Sequence, residues 1–146
     1  MESDEVRKSI SCVLMIAALI GIVYTPSYAA EIEPRESYVF SSYWVMAYEG
    51  ESDGEIKIAF SVTCSHFTSV IGVSSISIYR TNGTHVHTEE GTVENGLLRN
   101  GGSCAGTYIY QGVSGANYYA VVKFYGVADG ITDTRTIITD TVTAPY

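Results

Sequence analysis

The chain has 146 residues, 46% of them hydrophobic, and carries 16 Asp and Glu against 8 Lys and Arg for a formal net charge of −8. That length fits one domain, and an acidic surface poor in basic patches argues against nucleic acid and anionic lipid as partners.

Arg7 and Lys8 precede an apolar run from Ile10 to Val23, interrupted only by Ser11 and Gly21, and Pro26 follows. Ser27-Tyr28-Ala29 then offers small residues at the two positions that signal peptidase reads. Residues 1–29 therefore read as a helical secretory signal peptide, cleaved between Ala29 and Ala30. The run is short for a transmembrane helix, so no membrane attachment is expected after cleavage. Glu2, Asp4 and Glu5 depart from the usual basic start of such a signal. They leave open a later start or an uncleaved segment. Without residues 1–29 the chain has 117 residues, with 13 acidic and 6 basic side chains.

Residues 30–37 are charged, contain Pro34 and read as an N-terminal arm, followed by a single domain over 38–146. Seven strands are expected there. Tyr38–Tyr48 is aromatic and β-branched. Glu55–Cys64 alternates cleanly, with Ile56, Ile58, Phe60 and Val62 on one face and Lys57, Ala59, Ser61 and Thr63 on the other. Val70–Arg80 carries Gly72, a sign of a bulge or irregular start. Asn82-Gly83 predicts a type I′ hairpin turn leading into Thr84–Thr92. Asn95–Ser103 is a Gly/Asn-rich loop. Cys104–Gln111, Tyr118–Gly126 and Thr134–Thr143 complete the set.

Short strands, turns about every ten residues and no helical periodicity beyond the signal predict an all-β, immunoglobulin-like or fibronectin-like sandwich of about seven antiparallel strands. Tyr118, just after a Gly/Asn turn, sits where such domains place a tyrosine corner, its hydroxyl bonding to nearby backbone. Cys64 continues the inward series of its strand and Cys104 shares parity with Tyr108 and Tyr110. An even pair in an exported domain predicts a Cys64–Cys104 disulfide, with two buried free thiols as the alternative.

The order Glu31-Ile32-Glu33-Pro34-Arg35, Tyr38-Val39-Phe40-Ser41-Ser42-Tyr43, Ile71-Gly72, Gly112 to Tyr125 and Asp133-Thr134-Arg135 resembles a family of short uncharacterised secreted proteins of Gram-positive gut Firmicutes. The resemblance spans nearly the whole mature chain and rests on several weak motifs in sequence. It implies an extracellular β-sandwich and supplies no catalytic residue. The two cysteines stand where that family often has Gly or Thr.

His85, His87 and Glu89 alternate on one expected strand, so all three are expected on one face, where they could bind zinc or copper. The same pattern suits the solvated face of an edge hairpin, and a metal site needs ligands that converge rather than line up. The acidic turn from Asp129 to Asp133 lacks the loop pattern of a strong calcium site. Trp44, Tyr119 and Tyr125 are the candidate ligand-binding residues. Tyr119 and Tyr125 fall opposite Tyr118 and Phe124, so an outer sheet face is expected to carry rings, which stack on sugars and anchor protein interfaces. No Gly-x-Ser-x-Gly elbow occurs, no catalytic residue is assigned and no cofactor is implied. The expected function is that of a secreted, non-catalytic binding module for an extracellular glycan or protein. The alternatives are a secreted effector acting through its loops and a structural envelope component.

Overall fold

The computed structural model describes residues 37–146. The expected signal peptide, its cleavage point at Ala29-Ala30 and all of the arm except Ser37 lie outside them. The described residues form nine strands: β1 (Phe40–Glu49), β2 (Glu55–Cys64), β3 (Thr68–Arg80), β4 (His85–Glu90), β5 (Leu98–Arg99), β6 (Ser103–Gln111), β7 (Asn117–Ala128), β8 (Ile131–Ile138) and β9 (Val142–Thr143). They make two antiparallel sheets. One has three strands in the order β1-β2-β6. The other has six, in the order β4-β3-β7-β8, with β5 added to β3 and β9 to β7.

Period-two alternation builds the core directly. Ile56, Ile58, Phe60 and Val62 of β2 are buried, and so are Tyr118, Ala120, Val122 and Phe124 of β7. These two faces meet between the sheets, joined by Ile71, Val73, Ile76 and Ile78 of β3. The buried set changes parity between Val73 and Ile76 because the β3–β7 register shifts between Val73 and Ser75. One extra residue in a strand reverses which side chains point inward. Among the described residues the buried core runs from Val39 to Ala144, within the compact unit Glu36–Tyr146.

Several expectations give way to local chemistry. The Asn95–Ser103 loop contains β5, which pairs Ile71 with Arg99 and Gly72 with Leu98. It also buries Leu97, whose carbonyl accepts the Val73 amide at 2.7 Å. Gly72, at φ +149°, lets the backbones approach, since a Cβ there would run into the Leu97 carbonyl.

Asn82-Gly83 is not a type I′ turn. Gly83 has φ +84° but Asn82 lacks the positive φ that this turn requires. Asn82 instead accepts the Thr84 amide through its side chain at 3.0 Å. The two-residue turn with positive φ at both positions is Asp129-Gly130, at 51° and 76°, and it joins Ala128 to its partner Ile131.

The last expected strand, Thr134–Thr143, is divided in two. Thr139 is buried, and its hydroxyl accepts the Ala120 amide at 3.0 Å and donates to the Asp140 carbonyl at 3.0 Å. The Thr139 amide still donates to the Ala120 carbonyl at 2.9 Å, so the side chain replaces only the carbonyl acceptor at that rung. The chain re-pairs as β9 on Asn117 and Tyr118.

The expected disulfide is not formed, and Cys64 and Cys104 are free thiols. Their strands are indeed antiparallel neighbours, but Cys104 faces Val62, and Thr63 faces Ser103. Cys64 therefore comes opposite Gly102, whose carbonyl accepts both its amide and its thiol at 3.0 Å. A two-residue diagonal across an antiparallel pair exceeds the reach of a disulfide.

Candidate functional site

The outer face of the three-stranded sheet carries an apolar strip. Its rungs run Trp44–Ser61–Ala105, Met46–Ala59–Thr107 and Tyr48–Lys57–Ile109 across β1, β2 and β6. The alternation that sends Tyr43, Val45 and Ala47 toward the core sends Trp44, Met46 and Tyr48 to solvent. Trp44 is 49% exposed, Met46 56%, Tyr48 39% and Ile109 54%. Short hydroxyl side chains continue the face beyond Trp44, where Ser42 and Thr63 hydrogen bond to each other. The charge on these rungs is Lys57, whose ammonium lies 2.8 Å from Glu51 and 3.7 Å from Glu55. The Glu51 contact raises the Lys57 pKa above the ordinary 10.5 and lowers that of Glu51 below 4.5.

Trp44 is the expected residue on this strip, and Met46, Tyr48 and Ile109 join it. Their shared parity with Trp44 on β1 was the available signal for Met46 and Tyr48. Nothing in the sequence specifies the β6 register that adds Ile109.

Tyr119 and Tyr125 belong to a different surface, the outer face of the six-stranded sheet. Tyr119 stacks on Tyr79 with ring centroids 5.4 Å apart and planes at 11°, and His85 meets Tyr79 edge-on at 5.2 Å. Tyr125 pairs with Gly72, well along β7 from the Tyr119–Tyr79 rung. The structure therefore does not bring Trp44, Tyr119 and Tyr125 together.

His85, His87 and Glu89 do not share a face. The β3–β4 register shifts between Ile78 and Tyr79, so His87 pairs with buried Ile78 while His85 pairs with outward-facing Tyr79. His87 turns inward and lies parallel to Tyr108 at 6.3 Å and nearly parallel to Tyr110 at 5.6 Å. Glu89 stands 3.6 Å from the His87 ring and accepts the Asn95 side-chain amide at 3.1 Å. Among the described residues no cluster of three His, Cys, Asp or Glu could hold a metal ion. The acidic turn is likewise engaged. Asp129 accepts the Tyr38 hydroxyl at 3.0 Å, and Asp133 accepts Ser37 and pairs with Arg135.

Tyr118 is buried at the start of β7. Its hydroxyl accepts the Val113 amide at 2.9 Å. Tyr110 packs edge-on to its ring at 5.7 Å, and the Arg80 guanidinium lies over it at 5.7 Å.

At one end of the sandwich a shallow recess of about 410 Å³ is lined by Ser37, Tyr38, Ser65 and His66. The Tyr38 and His66 rings stack at 4.4 Å, and the hydrogen bond to Asp129 raises the Tyr38 pKa above the ordinary 10.0. The Asn95–Ser103 loop reaches the same end. The Gly101 carbonyl accepts the Thr68 hydroxyl, and Thr68 pairs with Ala128 beside the Asp129 turn.

No family model and no curated protein matches the chain. Among solved structures it is similar to the crystal structure of a family 76 glycoside hydrolase from a bovine Bacteroides thetaiotaomicron strain, at 16% identity and a TM-score of 0.40. The match covers 73% of this chain and 21% of that one, so the chain spans about a fifth of that protein.

Proposed function

We propose that the domain is a secreted, non-catalytic binding module whose ligand is an extracellular glycan held on the outer face of the three-stranded sheet. The observation that carries this reading is the exposed strip of Trp44, Met46 and Tyr48 on β1. Two exposed rings on one face suit the apolar C–H faces of successive sugars. The neighbouring side chains of Ser61 and Thr107 supply hydrogen-bonding groups for sugar hydroxyls.

We read the fold as immunoglobulin-like. β3, β7 and β8 fill the places of strands C, F and G, and β1, β2 and β6 those of A, B and E. Export is supported by the signal-like residues 1–29, and the resemblance to short secreted Firmicutes proteins belongs to the same reading.

The test is a glycan array probed with fragment 36–146. Binding is expected, and Trp44→Ala and Tyr48→Ala abolish it, whereas the Tyr119→Ala/Tyr125→Ala double variant retains it. Binding to no glycan, or loss in the double variant alone, overturns the assignment.

One observation favours a second reading, an effector that acts through its loops. The Asn95–Ser103 loop, the Asp129 turn, the Tyr38–His66 stack and exposed Phe67 lie at one end of the sandwich. On that reading Phe67→Ala removes target binding and Trp44→Ala does not.

A further inference from the structure

We infer that two copies of this domain pair antiparallel along β1, through a two-fold axis at Met46, joining their three-stranded sheets into one of six strands. β1 is an edge strand of that sheet. Among the described residues, the backbone of 41–48 finds hydrogen-bonded strand partners on β2 alone. Its other side makes no backbone hydrogen bond to a described residue, although β9 lies near it, and such an edge is a template for another strand.

The remaining edges are protected. β4 is bulged and ends in Glu89 and Glu90. β8 carries the Asp133–Arg135 pair. The flank of β6 is overhung by His87, whose ring lies against Tyr108 and Tyr110. Residues 41–48 of β1 have no charge, no proline and no glycine. Irregular pairing is confined to the β1 start, between Phe40 and Ser42.

A second copy, rather than an unrelated strand, follows from the arrangement of side chains. Facing residues in an antiparallel pair point to the same side of the sheet, so outward residues must meet outward residues. Centring on Met46 places Met46 against Met46 and Trp44 against Tyr48 of the second copy, twice over. It also places Val45 against Ala47 on the inner face. Glu49 then meets Tyr43 rather than its own counterpart. Centring one residue either way leaves one aromatic of each copy facing Ser42 or Gly50. The chain carries a net charge of −8, so copies repel over much of their surface, and residues 41–48 offer them an uncharged segment to meet along. The inference does not depend on the glycan reading, although pairing would double the length of the exposed strip.

The test is sedimentation of fragment 36–146 over a concentration series reaching about 1 mM. A reversible dimer is expected. Met46→Lys and Met46→Glu should each be monomeric, because like charges then meet at the axis, and an equimolar mixture should restore the dimer. Met46 is exposed, and circular dichroism confirms that each variant is folded. Ile109→Lys, on the same face but on β6, should dimerise as the parent does. A parent monomeric throughout, a Met46→Lys variant that still dimerises, or monomers produced by Ile109→Lys would each overturn the pairing. Glycan binding measured on the same proteins keeps the two readings apart, since either can fail while the other stands.

Discussion

His85 and His87, two residues apart on β4, point to opposite faces of their sheet. The first packs against Tyr79 outside and the second against Tyr108 and Tyr110 inside. Their difference in burial sets their difference in stability. His87→Ala should lower the free energy of unfolding by about 1 kcal/mol, the scale of a packed ring pair. His85→Ala should change it by less than about 0.5 kcal/mol. Urea denaturation of both variants decides the order, and equal effects would deny the bulge. Nickel should not shift either midpoint, because imidazoles on opposite faces cannot chelate one ion.

Thr139 is the second test. Thr139→Val keeps the shape but leaves the buried Ala120 amide without its acceptor, and should destabilise by about 1–3 kcal/mol. Thr139→Ser retains the oxygen and should lose much less. Hydrogen exchange at Ala120 should accelerate in the valine variant and stay slow in the serine one.

The thiols should react unequally. Burial pushes the Cys104 pKa above the ordinary 9.0, and Cys104 is shielded from solvent while Cys64 is partly exposed. Thiolate is the reactive form. A maleimide added to the native fragment should therefore label Cys64 first, and Cys104 only after denaturant is added. Recovery of no free thiol in denaturant would restore the disulfide.

Stability should fall at high pH. Burial raises the Tyr108 and Tyr110 pKa values above the ordinary 10.0, with Glu89 adding to the first and Tyr118 to the second. Groups raised in the folded state bind protons that the unfolded chain has already released. Their contribution is thus complete below the unfolded pKa of about 10 and is lost as pH rises through the folded values. Melting temperatures between pH 8 and about 11 should decline, and the decline should be shallower in Tyr108→Phe and Tyr110→Phe. A flat profile would mean that these phenols are solvated.

Where the period-two pattern runs unbroken, the fold was legible. Ile56 to Val62 and Tyr118 to Phe124 fall on the faces their alternation indicates. Where a single residue interrupts it, parity beyond that point becomes ambiguous. The β3 bulge reverses the inward series after Val73, and the β4 bulge separates His85 from His87. The first arises in pairing with β7, remote in the chain, and the second in how the β3–β4 hairpin closes, and alternation alone encodes neither. The Cys64–Cys104 expectation failed for the same reason, being correct about neighbours and two residues off in register. Of the aromatic candidates, Trp44 has its companions on its own strand. Tyr119 and Tyr125 share parity but stand on a face that separates them.

The long pairing of β3 with β7 joins Thr68 to Ala128 at one end and Arg80 to Tyr118 at the other. Neither sheet face can be covered until both strands exist, so the core is assembled from contacts remote in the chain. Such topologies fold slowly, in milliseconds to seconds, because loop closure precedes its reward. The local hairpins β1–β2 and β3–β4 can form first, but each then leaves an oily side uncovered, with Ile56, Ile58 and Phe60 on one and Ile76 and Ile78 on the other. The two hairpins therefore wait on β7, and the sandwich closes as a unit once that strand has been made.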